Sequence, residues 1–293
     1  RRLSIDIDII VPKSVKIAEI NEILKNIVRT SSFTRYEEQE RHYSQIPKAH
    51  FKLFYESPFD QSEVYVLLDV LFEENPYSRL ESIDIICPFI DTTPPNVTVK
   101  VPSIADILGD KLTAFAPNTT GILYDKEKEM EIIKQLFDIE SLFDQLSTTN
   151  GVKDTFIRCA EQELNYRQLT EMNYENVLDD IFKTAIIIGG RGSFDKETFL
   201  KLENGIRRIK SHIINRNYIV EEAVVSASKA AYLSMLLKHQ QDEIEKYHPK
   251  ETLPELEGVP LFKKMAKIKN FSPEAYYYFA KAQELIRRSE KTK

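Results

Sequence analysis

Two aspartates, two residues apart on an alternating run, are the first place where this chain could do chemistry. Ile5, Ile7 and Ile9 alternate with Ser4, Asp6 and Asp8 ahead of Pro12, the period-2 pattern of a half-buried strand. Ser4, Asp6 and Asp8 therefore share one face and the isoleucines take the other. Carboxylates held this close repel and raise each other's pKa unless positive charge sits between them. A hard divalent cation is the usual remedy, because Mg²⁺ takes one or two carboxylates and completes its shell with water and phosphate oxygens. The plainer alternative is a solvent-facing strand edge whose polar residues happen to be acidic.

A third carboxylate, Asp69, lies inside the apolar run from Val64 to Phe72, the most strand-like stretch of the chain. A buried aspartate is costly unless it is paired, hydrogen-bonded or metal-bound. A partly exposed edge position or an arginine partner would account for it equally well. Far downstream, Arg207, Arg208, Lys210, His212 and Arg216 crowd together in a chain whose net charge is −6. Such clusters supply phosphate contacts to an RNA backbone; a solvated helix face is the competing account.

These residues need elements to position them. Apolar residues recur at helical spacing from Ser14 to Val28, with Ser14 as the expected N-cap. Thr30 to Tyr43 reads as a loop running into an edge strand. Further strands are expected at Ala49–Tyr55, Val64–Phe72, Glu81–Pro88 and Val97–Val101. Ser103, followed three residues later by Asp106, has capping-box spacing and opens a helix that ends before Pro117. A long amphipathic helix covers Lys126 to Leu146. The remainder reads as helices at roughly 153–164, 174–188, 196–215, 219–239, 261–268 and 273–289. Gly189-Gly190-Arg191-Gly192 lacks the lysine and preceding strand of a P-loop and is expected to be an interhelical turn. Asp242–Pro260, acidic and proline-containing, is expected to be a mobile connection, and Tyr276–Phe279 to be core and interface.

Composition bounds the possibilities. The 293 residues, 42% hydrophobic and 29% charged, describe a globular protein with room for two domains. No apolar run approaches the roughly 18 residues of a membrane span. The two cysteines, Cys87 and Cys159, form no metal-binding pair, which favours a reducing, cytoplasmic setting. The acidic balance argues against a protein that coats nucleic acid indiscriminately.

Three stretches, in order, carry a family resemblance. Arg2-Leu3-Ser4-Ile5-Asp6-Ile7-Asp8 resembles the metal-binding strand of the DNA polymerase beta-like nucleotidyltransferases, and more narrowly that of the AbiEii/AbiGii family of abortive-infection and toxin–antitoxin proteins. Ala105–Ala114, with Asp110-Lys111-Leu112, resembles that family's second motif. Lys134-Gln135-Leu136-Phe137-Asp138-Ile139 is similar to its third, usually Arg/Lys-Asp-x-x-Asp-Leu/Ile. Gln135 stands where the first aspartate is common, so the motif's acidic role falls to Asp138 or is lost. Lys134 and Asp138 also have the spacing of a plain helix salt bridge.

The resemblance implies an α+β protein, a nucleotidyltransferase-fold mixed sheet with helices followed by a mostly α-helical C-terminal domain. The turn to polar composition at Ser147–Gly151 is where the boundary is expected, giving domains of 1–148 and 149–293. The resemblance also implies a Gly-Gly-Ser/Thr turn upstream of Arg1. The implied reaction is transfer of a nucleoside monophosphate from an NTP, dependent on Mg²⁺ or Mn²⁺. Asp6, Asp8 and Asp69 would hold metal, and Asp69 would help deprotonate the attacking hydroxyl. Ser4, Lys111 and Lys134 would contact the nucleotide, Lys111 facing the leaving pyrophosphate, and Asp138 would join the catalytic set. A tRNA acceptor and a separately encoded antitoxin are the implied partners. Two alternatives stay open: a small-molecule nucleotidyltransferase of the aminoglycoside-modifying kind, and a binding module that keeps the fold without the chemistry.

Overall fold

In the computed structural model, residues 6–39, 46–86, 91–214, 216–254 and 265–292 are described. The chain divides into two units, one spanning Arg2–Pro76 and the other running from Tyr77. The first unit is built on β1 (Asp6–Val11), α1 (Ile17–Thr30), β2 (Phe33–Gln39), β3 (Lys48–Glu56) and β4 (Glu63–Phe72). Its sheet has the order β1-β4-β3-β2. Strand β1 runs parallel to β4, while the β4–β3 and β3–β2 pairs are antiparallel. The sheet is therefore mixed, as expected.

Alternation along β3 and β4 sends Ala49, Phe51, Leu53 and Val70 to one face, where Ile20 and Leu24 of α1 bury them. Helix α1 begins two residues later than the Ser14 cap predicts. Lys16 occupies the N-cap, and its backbone N–H donates to Glu19 Oε1 at 2.8 Å. That bond satisfies the N–H of the N-cap residue itself, the half of a capping box that the N3 glutamate supplies.

The second unit opens with the antiparallel pair β5 (Leu80–Asp84) and β6 (Thr98–Pro102). Seven helices follow among the described residues: α2 (Ile104–Ala114), α3 (Glu129–Phe143), α4 (Val152–Tyr166), α5 (Tyr174–Gly189), α6 (Lys196–Ile209), α7 (Val220–Lys238) and α8 (Pro273–Thr292). Leu108, Leu112, Ile132, Leu136, Phe143, Phe156 and Ile181 lie at its centre. Helix α7 is buried on nearly every side from Ala223 to Leu237, as a helix without a consistent polar face must be. Gly109 lets α2 lie against α4, since a Cβ there would meet Val152 O at 2.6 Å.

Several boundaries differ from expectation. Residues Tyr124–Lys126 form a separate 3₁₀ turn ahead of α3, and α6 stops at Ile209, followed by a 3₁₀ turn at Lys210–His212. The helix expected at 261–268 lies partly outside the described residues, and the rest of it belongs to a 3₁₀ helix, Ala266–Asn270. The glycine-rich stretch is the expected turn, with Arg191 and Gly192 at positive φ between α5 and α6. Residues 242–254 are no loose connection. Ile244 N donates to Ser147 O at 3.0 Å and Tyr247 N to the Tyr278 hydroxyl at 3.1 Å, while buried Ile244 anchors the segment in the core. Tyr276–Phe279 are all core. Ser147–Gly151 sits inside the second unit, where Thr148 bridges to Glu243. No helix among the described residues is long and apolar enough to cross a membrane.

Candidate active site

Strand register decides which side chains of the sheet meet. Asp8 lies opposite Asp69 across the parallel β1–β4 pair, and Asp69 lies opposite His50 across the antiparallel β4–β3 pair. Paired residues point to the same face, so Asp8, Asp69 and His50 form a row across three strands. Asp6 joins that face one step along β1. Asp6 and Asp8 are exposed. The His50 Nδ1 and Asp69 Oδ1 atoms are 2.7 Å apart, with the side chains 13% and 30% exposed.

Asp69 therefore sits on an interior strand, not at an edge, and no arginine among the described residues pairs with it. Its partner is an imidazole. The sequence signals that His50 points away from Ala49 and Phe51, but only the β3–β4 register shows which carboxylate it meets. Ser4 lies outside the described residues. No group of three or more His, Cys, Asp or Glu side chains among the described residues is gathered closely enough to hold a metal by itself. The donor chemistry nonetheless suits Mg²⁺ or Mn²⁺, because Mg²⁺ is usually bound by one or two carboxylates plus substrate phosphates rather than by an all-protein cage.

In the second unit, Lys111 on α2 and Asp138 on α3 approach to 3.7 Å, which brings the second and third sequence motifs together. Lys134 pairs instead with Glu131, Nζ to Oε1, at 2.9 Å, so the helix bridge to Asp138 suggested by spacing gives way to another. The Gln135 side-chain oxygen is buried without a hydrogen-bond partner among the described residues.

The other acidic residues of α2 serve the architecture. Ser103 caps the helix, and the buried Asp106 accepts from Ser103 Oγ at 2.6 Å, Ser78 N at 2.8 Å, Arg79 N at 3.1 Å and the Thr155 hydroxyl. Burial pushes its carboxyl up, but these hydrogen bonds outweigh it and hold the group below the usual carboxylate range. Asp110 Oδ2 accepts from the Tyr77 hydroxyl at 3.2 Å.

The basic cluster divides in two. Arg207, Arg208 and Lys210 are exposed at the end of α6, with Arg207 3.4 Å from Glu203, and His212 is half-buried beside Ser211. Arg216 turns inward to ion pairs with the buried Glu140 and with Glu222. It belongs to an internal network that also holds Lys229, Asp144 and Glu274.

A mixed sheet bearing paired aspartates, in a chain that goes on to a helical region, is the build of a nucleotidyltransferase. Residues 1–238 match the family described as "Nucleotidyl transferase AbiEii toxin, Type IV TA system", and the chain belongs to that family. It is thus a nucleotidyltransferase of a toxin–antitoxin system, for which an antitoxin is the partner. Neither the curated proteins nor the solved structures gave a match.

Proposed function

We propose that this chain transfers a nucleoside monophosphate from an NTP to the end of an RNA, with tRNA as the acceptor. The observation that carries the reading is the row of carboxylates. Asp8 and Asp69 stand in register on adjacent parallel strands, with Asp6 on the same face. Asp6, Asp8 and Asp69 are the residues that would hold a divalent cation. When bound, such a cation neutralises triphosphate oxygens and polarises the reacting phosphorus.

Asp69 is placed in the role of accepting the proton of the acceptor hydroxyl, whose oxygen bonds to the α-phosphorus as the bond to the departing pyrophosphate breaks. Lys111 is assigned to the negative charge that develops on the pyrophosphate, a task suited to a flexible ammonium. Asp138, 3.7 Å away, would hold that ammonium in place. Lys134 remains a candidate nucleotide contact, although its ammonium is shared with Glu131.

An RNA acceptor is supported by the exposed Arg207, Arg208 and Lys210, because several phosphate contacts are what keep an RNA arm in register. The test is to incubate the protein with α-labelled NTPs and either total tRNA or a cationic aminoglycoside, then measure labelled acceptor and released pyrophosphate. Labelled RNA is expected. Label on the amine alone would favour a small-molecule enzyme, and no pyrophosphate release would leave a binding module. In parallel, an Arg207→Ala/Arg208→Ala/Lys210→Ala variant should bind tRNA more weakly. Its salt slope should fall by about one unit for each phosphate that is no longer neutralised.

A further inference from the structure

His50 is the member of the carboxylate row that no motif singles out. It is the more buried partner of its pair, fixed on an interior strand whose alternate residues, Ala49 and Phe51, are in the core. An ionised carboxylate only accepts hydrogen bonds, so the imidazole donates from Nδ1. At 2.7 Å the bond is short and engages one oxygen, Oδ1. A guanidinium in the same place would present a fork matched to both carboxylate oxygens. The imidazole leaves Oδ2 outside the pair.

We propose that His50 is a positioning residue for nucleotidyl transfer. It selects one rotamer of Asp69 and reserves a single oxygen of that carboxylate for the divalent cation. The inference rests on the reading of Asp6, Asp8 and Asp69 as cation ligands. Its physical basis is that a ligand already ordered by its own hydrogen bond loses less side-chain freedom on binding, and that outer partners of ligating carboxylates control metal affinity.

The experiment measures the apparent Mn²⁺ affinity of the full chain in the presence of a non-hydrolysable NTP analogue, which supplies the phosphate oxygens of the site, by the enhancement of water proton relaxation on formation of the ternary complex. Wild type is compared with His50→Ala, His50→Asn, His50→Gln and Asp8→Asn, and metal-free melting curves establish that each variant folds. His50→Ala should weaken binding about 10- to 100-fold. Asn, whose amide nitrogen falls where Nδ1 lies, should recover most of the loss, and Gln should not. Binding by His50→Ala equal to wild type would overturn the proposal, as would Asn no better than Gln. Should His50→Ala fail to fold, the contrast between Asn and Gln decides the matter alone. If wild type binds no Mn²⁺, or if Asp8→Asn binds as well as wild type, the cation reading itself falls and the role of His50 falls with it. Binding lost in Asp8→Asn but indifferent to every change at His50 removes only the positioning role.

Discussion

The carboxylates of the sheet and those of the helical unit stand in opposite situations. Asp106, Glu140 and Asp180 are buried in the second unit, and each is surrounded by donors. Asp106 takes four, from Ser103, Thr155, Ser78 and Arg79. Glu140 meets Arg216, Ser226 and Lys229. Asp180 takes the backbone and side chain of Asn118 and the Thr119 hydroxyl. Asp6 and Asp8 are exposed, and Asp69 keeps a partly exposed side chain whose Oδ1 meets His50. A carboxylate saturated by protein donors has no lone pair left for a ligand, whereas an exposed one retains the capacity to take a cation. Burial with full satisfaction marks the structural carboxylates here, and exposure in register distinguishes the three that the proposed function assigns to a cation.

That contrast is broken most directly at Asp8. Asp8→Asn should bring nucleotide transfer to background while leaving the metal-free melting temperature unchanged or higher, since it relieves repulsion between like charges. A fully active variant would end the assignment. Lys111→Ala should lower turnover by about 10²- to 10³-fold with little change in stability, the usual loss for one preorganised charge partner. Both are read by pyrophosphate release beside thermal denaturation.

The reverse outcome is expected at Asp106. Asp106→Ala leaves two backbone N–H groups and two hydroxyls without their acceptor, and should cost roughly 2–5 kcal/mol of unfolding free energy in urea titrations. A neutral result there would mean that these donors find other partners.

The smallest effect sharpens the comparison within the buried set. Burial holds the Asp180 carboxyl above its usual range despite hydrogen bonds from Asn118 and Thr119. Asp106 is held below it. A group whose folded pKa is raised contributes stability below its unfolded pKa and loses that contribution as pH rises through the folded value. A group whose folded pKa is lowered contributes above its unfolded pKa and loses it as pH falls. Wild type should therefore lose stability relative to Asp180→Asn as pH rises from the usual carboxylate range toward neutrality. Relative to Asp106→Asn it should lose stability as pH falls from the usual carboxylate range into more acid solution. Melting temperatures of the three proteins, followed above and below that range, check both signs.

Much of this was legible from sequence because it is periodic. The strand at Asp6 and Asp8, the run around Asp69 and the cap at Ser103 all announce themselves through spacing. What was not legible depends on register and tertiary partners. Nothing in Ala49-His50-Phe51 says that His50 will face Asp69, since that requires knowing that β3 and β4 pair with these two residues opposite. Arg216 reads as one more cation in a basic cluster until Glu140, far away in sequence, claims it. The acidic composition of 242–254 hides the anchors Ile244 and Tyr247, and the polar stretch at Ser147–Gly151 looks like a boundary because its bridge to Glu243 is remote. Lys111 and Asp138 were each named from a motif, and the packing of α2 on α3 brings them together.

The parallel pairing of β1 with β4 also sets an order of events. Asp6 and Asp8 leave the ribosome first, but α1, β2 and β3 must all be made before Asp69 arrives to lie beside them. A non-local pairing of this kind forms late in folding, after the intervening loop has been closed. A nascent or truncated chain ending before β4 would carry the first two aspartates without the third, and its His50 would have no carboxylate opposite. An interrupted synthesis yields a fragment that displays the first strand and lacks the assembled row.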